Sequence, residues 1–248
     1  MVRLPWQREE GGGPPAPRGV ERSYILAVDL GQSADYTGIV AIQRTAYAGA
    51  GAAEGPSATA GPVSGEPPPA DYVVRLLERP ALKTPYPAIV RRLRELLAKP
   101  PLDPARTPVV YDATGVGAAV GDLLAEAVAR PVGITISGGD RAHGGGRAWS
   151  VPKRDLTGVL LRLFQTGRLR IAERLRLAPV LVSELDNFKM KVNLATGRDS
   201  YAAWREGQHD DLVLACALGC WWGELPRPRI WAVRGAALPD WAGEDWGL

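Results

Sequence analysis

The chain has 248 residues, 46% hydrophobic and 23% charged, with a formal net charge of +3. That length suits one globular domain with extra segments, or two small ones, and leaves room for a sizeable core. Only two cysteines, Cys216 and Cys220, are present, four apart in an apolar stretch, which excludes a disulfide framework and reads as buried helix residues in a reducing compartment. A pI near 9.0 is compatible with a nucleic-acid partner without demanding one. No apolar run approaches the roughly 20 residues that span a bilayer, and the first residues lack the apolar core of a signal peptide. A cytoplasmic, membrane-free protein is the expectation.

Residues 1–22 include GGGPPAPRG and mixed charges and are expected to be a disordered leader. Tyr24 to Val28 is apolar without a break, which predicts a strand buried on both faces, and Asp29 ends it. Thr37 to Ile42 predicts a second strand, so the pair reads as a hairpin with Gly31 in its turn. Residues 46–70 are rich in Ala, Gly, Ser and Pro and predict a loop insertion. A third strand is expected over Asp71–Arg79. Ile89, Val90, Leu93, Leu96 and Leu97 follow helical spacing and predict a helix over Tyr86–Lys99, stopped by Pro100-Pro101.

Pro108 to Tyr111 predicts a short strand ending in Asp112, followed by a turn and a helix reaching about Ala129. Pro131–Ser137 predicts another strand. Gly138–Ser150, GGDRAHGGGRAWS, reads as a glycine-rich basic loop. A helix is expected over Val151–Gly167, with Pro152 in its first turn and Gly167 at its stop. A further helix is expected over Pro179–Phe188, and Lys189–Trp204 reads as a hairpin turning at Thr196-Gly197-Arg198. His209-Asp210-Asp211 then opens an apolar helix, Leu212–Trp222, ended by Pro226 and Pro228. Residues 226–248, rich in Trp and Pro, form a tail. The expected fold is a single α/β domain over 23–225, with a mixed sheet antiparallel at its start and parallel later, flanked by helices.

Asp29 and Asp112 each end a buried strand, and Asp210 and Asp211 open a buried helix. In α/β sheets ligands bind at the carboxyl ends of parallel strands. Carboxylates gathered there raise one another's pKa values, and a divalent cation resolves the repulsion. Magnesium favours oxygen ligands, and two ions about 3.5–4 Å apart serve in-line displacement at phosphorus. Each residue also has a plainer reading. Asp29 suits a turn, Asp112 an Asx turn or cap, and one of Asp210 and Asp211 an N-cap. Asp35 and His209 are candidate supporting groups, or a turn residue and a local hydrogen-bonding residue. Arg141, Arg147, Lys153 and Arg154, in or just after the glycine-rich loop, are candidate phosphate contacts. Trp149 and Trp204 suit either base stacking or the core.

The segments YILAVDLGQSADYTGIVAI, VVYDATGVGAAVGDLL, VPKRDLTGVLLRLFQTGRLRIA and HDDLVLACALG resemble the nuclease domain of the tailed-phage terminase large subunit, which has an RNase H-like fold. The resemblance spans about Tyr24 to Trp222. It implies an RNase H-like mixed sheet and a two-metal DNA endonuclease using two Mg²⁺ or Mn²⁺. It implies that Asp29, Asp112 and Asp211 are the catalytic metal ligands, with Asp29 bridging both ions and Asp210 the adjacent alternative. The implied partners are double-stranded DNA, a small terminase subunit, a portal and a separate ATPase motor chain. The chain departs from a full terminase in lacking a GxxxxGK[ST] phosphate loop, so ATP-driven packaging does not carry over: either the two activities are on separate chains, or this is a nuclease half on its own. Alternatives are a branched-DNA resolvase of the same fold, an actin-like ATPase or sugar kinase, which also opens on a strand and an Asp-x-Gly turn, and a DNA-binding module without catalysis.

Overall fold

The computed structural model describes residues 20–31, 35–47, 70–115, 117–194 and 210–225. Among them the expected α/β architecture is present, a mixed sheet with antiparallel and parallel strands, flanked by helices on both faces. Its strands are β1 (Val20–Asp29), β2 (Gly38–Tyr47), β3 (Ala70–Glu78), β4 (Val109–Asp112), β5 (Pro131–Ser137), β6 (His143–Gly145), β7 (Ala148–Pro152) and β8 (Leu169–Ile171). They lie in the order β6-β7-β5-β4-β1-β2-β3-β8. β1, β2 and β3 form an antiparallel meander, whereas β4, β5 and β7 continue parallel from β1.

The central position of β1 follows from its sequence. Ile25 to Val28 are fully buried, as a strand covered on both faces requires. Alternation then sorts each strand between two cores. Leu26, Val28, Ile39, Ala41, Val109 and Tyr111 face α1 (Tyr86–Leu97) and α2 (Gly117–Ala127). Ile25, Val40, Ile42, Val110, Val132 and Ile134 face α3 (Lys153–Gln165), α4 (Ala178–Leu194) and α5 (Asp211–Glu224). α5 is apolar on every side because it lies between the sheet and α3 and α4. Gly219 lets it lie close, its missing Cβ facing Ile42 and Ala27. Cys216 and Cys220 are buried free thiols within it.

Several boundaries differ from expectation. β1 starts at Val20, inside the expected leader, because residues 20–23 pair with residues 44–47 of β2. The strands around the low-complexity insertion reach Tyr47 and Ala70, and Ala46 and Ala70 are both buried. The basic loop contains the β6–β7 hairpin, and β7 takes in Val151 and Pro152, so α3 begins at Lys153. β8 is an additional three-residue strand parallel to β3. α4 continues to Leu194 through the first six residues of the expected second hairpin. Those residues contain no helix breaker, and the first glycine after them is Gly197. The rest of that hairpin, Trp204, His209, the leader before Val20 and the tail lie outside the described residues. No helix among the described residues is long and apolar enough to cross a membrane.

Candidate active site

The register of the central strands brings Asp29 and Asp112 to one edge of the sheet. Val28 pairs with Tyr111 in the parallel β1–β4 ladder, so Asp29 and Asp112 are the next residues on adjacent strands, both at carboxyl ends. On the other side of β1, Asp29 pairs with Gly38. Gly38 is the point where α5 reaches this edge. A Cβ there would stand 2.5 Å from the Asp211 carbonyl oxygen and 2.7 Å from its carbonyl carbon. Only glycine admits that approach without a shift of backbone. Three elements thus bring the three aspartates to one end of the domain.

Their side chains are engaged differently. Asp112, 6% exposed, accepts a 2.8 Å hydrogen bond at Oδ1 from the Thr114 backbone N–H. This is the Asx turn that its sequence context allowed. The Thr114 hydroxyl in turn accepts from the Ile136 N–H at 2.9 Å, tying the turn to β5. Asp210 occupies the N-cap position of α5 but makes no side-chain cap bond, and Asp211 is the first helical residue. Asp211 is 2% exposed. Its Oδ2 accepts a 2.7 Å hydrogen bond from Arg79 Nε, and the Arg79 Nη2 also donates to Glu184 Oε1. Glu184 Oε2 accepts from the Val213 N–H at 3.1 Å.

Arg79 and Glu184 are functional candidates that the sequence did not single out. Burial pushes the Glu184 carboxyl up to about 7, and the Asp211 charge adds to the effect, against the opposing pull of the Val213 N–H and Arg79. The only cue to Glu184 is a carboxylate next to Leu185 and one turn from Leu181, two buried leucines of α4.

Among the described residues, no group of three or more His, Cys, Asp or Glu side chains is gathered to hold a metal ion. The backbone placement and the oxygen donors suit a hard divalent cation. The side chains, however, are held by the Asx turn at Asp112 and by Arg79 at Asp211.

The remaining candidates divide between the two ends of the sheet. Lys153 and Arg154 follow the carboxyl end of β7, and Arg141 lies in the turn after the carboxyl end of β5, on the aspartate side. Arg154 is paired with Asp140 at 3.1 Å, both exposed. Arg147 lies in the β6–β7 turn and donates to the Ala129 carbonyl at 3.2 Å, beside the amino end of β5. It is therefore not brought to the aspartate edge. Asp35 is exposed and, with Gly31, Thr37 and the segment 81–86, lines a cleft of about 240 Å³ beside the β1–β2 turn. Trp149 packs edge-on against Trp221 of α5, with ring centroids 5.6 Å apart, a core contact rather than a stacking platform.

No protein-family model matches the chain, and no curated protein matches it significantly.

Proposed function

We propose that this chain is a metal-dependent DNA endonuclease, the nuclease part of a phage or prophage DNA-packaging terminase. The observation that carries the reading is the convergence of three aspartate-bearing positions. Asp29 and Asp112 stand one residue beyond the Val28–Tyr111 pair, and the Asp211 backbone lies against Gly38, the strand partner of Asp29.

Asp29, Asp112 and Asp211 would hold two Mg²⁺ or Mn²⁺ ions, with Asp210 at the neighbouring position. Bound there, divalent cations supply charge stabilisation and an activated water for in-line displacement at phosphorus. The chain's own residues do the rest. Asp29 and Asp112 fix the spacing of the donors, because both are continuous with rigid central strands. The turn bond from Thr114 to Asp112 Oδ1 sets the orientation of that carboxylate. Arg141, Lys153 and Arg154 offer positive charge on the same side to phosphates flanking the scissile one. The exposed Arg154–Asp140 pair is cheaply opened for that purpose.

The substrate under this reading is double-stranded DNA in the host cytoplasm. An ATPase motor, a small terminase subunit and a portal are the partners under it. The test is conversion of supercoiled plasmid to nicked and linear forms with Mg²⁺ or Mn²⁺, stopped by chelator. Cleavage confined to four-way junctions would move the assignment to a resolvase, and absence of cleavage with either ion would remove the enzyme reading.

A further inference from the structure

Arg79 links four parts of the site. It stands one residue past β3, and its guanidinium carbon lies 5.2 Å from the centre of the Tyr36 ring in the β1–β2 turn. Nε donates to Asp211 at 2.7 Å, and Nη2 donates to Glu184. Its side chain is 15% exposed, against 6% for Glu184 and 3% for Asp211.

A fault in the strand directs it there. The β2–β3 register shifts between Ala41 and Ile42, whose partners are Leu76 and Val74, so Arg75 is an extra residue. Before the bulge, Tyr72 and Val74 face α3–α5; after it, Leu77 does so and Leu76 faces the opposite core. Arg79, two residues beyond Leu77, inherits the α3–α5 face. Without the bulge it would face α1, where Glu78 instead pairs with Arg92. Bulges re-aim single side chains in this way.

We infer that Arg79 is a positioning residue that competes with the divalent cation for Asp211. This rests on the nuclease reading above. One guanidinium is shared between two buried carboxylates, so when a cation takes Asp211, Glu184 and the Tyr36 ring remain to hold Arg79. Asp211 therefore never faces the other aspartates as an uncompensated buried charge. The exchange sets the cation concentration at which the site assembles.

The test is calorimetric titration of the full chain with Mn²⁺, for wild type, Arg79→Gln, the double variant Arg79→Gln/Glu184→Gln, and Asp29→Asn. Removing a competing unit charge at hydrogen-bonding range tightens the Mn²⁺ dissociation constant by about tenfold. At pH 8, where Glu184 is mostly ionised, the double variant leaves the net charge of the cluster nearly unchanged, so tightening there isolates competition from bulk charge, and it removes the unpaired buried Glu184 that could unfold the single variant. Equal or weaker Mn²⁺ binding in the double variant overturns the inference while leaving the nuclease reading standing. Mn²⁺ binding in none of the proteins overturns both. Binding that is indifferent to Asp29→Asn places the ion elsewhere and also overturns both.

Discussion

Gly38→Ala tests the geometry on which the site depends. Ala is a modest change in a strand, where a methyl group is normally tolerated. At this position the new Cβ would lie 2.5 Å from the Asp211 oxygen, 2.7 Å from its carbonyl carbon and 3.1 Å from the Leu212 nitrogen. All three are backbone atoms, so no side chain can rotate aside. Ordinary contact begins near 3.4 Å, so α5 and β2 must part by about 1 Å in an interior packed as densely as a crystal. Overpacking of this kind costs about 1–3 kcal/mol. The start of α5 carries Asp211, so the same displacement alters the distance between Asp211 and Asp29. Urea unfolding should show that loss of stability, and Mn²⁺ affinity and plasmid cleavage should fall more steeply than the loss of folded protein explains. A control at Gly158, where a Cβ meets nothing within 4 Å, should be neutral or slightly stabilising in the α3 helix. Wild-type stability and cleavage in Gly38→Ala would refute the claim that α5 is docked against the hairpin at this point.

Other outcomes follow from the same contacts. Asp112→Asn keeps an oxygen for the Thr114 N–H and should abolish cutting at unchanged melting temperature, whereas Asp112→Ala should also lose about 1–3 kcal/mol in urea unfolding by stranding that N–H. Lys153→Ala and Arg154→Ala should weaken DNA binding in a fluorescence-anisotropy titration and flatten its salt slope by up to about one unit each. Arg147→Ala, bonded at the far end of β5, should leave both unchanged; an equal loss there would relocate the DNA path. Glu184 carries a raised pKa, so its favourable contribution is complete below its ordinary value of 4.5 and is lost as pH rises through about 7. Urea melts at pH 5 and pH 8 should show Glu184→Gln gaining on wild type as pH rises, by an amount on the order of 1 kcal/mol or more.

The parts of the fold that could be read in the chain are those where burial leaves a periodic trace. The unbroken run Ile25–Val28 gives a central strand its apolar pattern on both faces. Asp29 and Asp112 stand out because each interrupts such a run. The α1 stripe from Ile89 to Leu97 is equally plain. The β6–β7 hairpin left no such trace, since β6 is glycine-rich and exposed throughout, and β8 has only three residues. Gly38 reads as an ordinary strand residue until the helix that docks on it is known. Arg79 is less legible still, because its facing depends on a bulge that reverses the alternation halfway along β3. The basic residues near the glycine-rich loop form one group in sequence, yet the hairpin sends Arg147 to one end of the sheet and leaves Arg141, Lys153 and Arg154 at the other.

The central claim is that the carboxylate at the end of β1 does chemistry rather than shaping a turn. Asp29→Asn changes one oxygen to nitrogen at that position. Its plasmid cleavage with Mn²⁺, DNA affinity and melting temperature should be measured side by side with those of wild type. The account predicts that cleavage disappears while DNA binding persists and the melting temperature holds or rises, since a repelling charge has been removed. Undiminished cleavage by Asp29→Asn, with the fold intact, would contradict it.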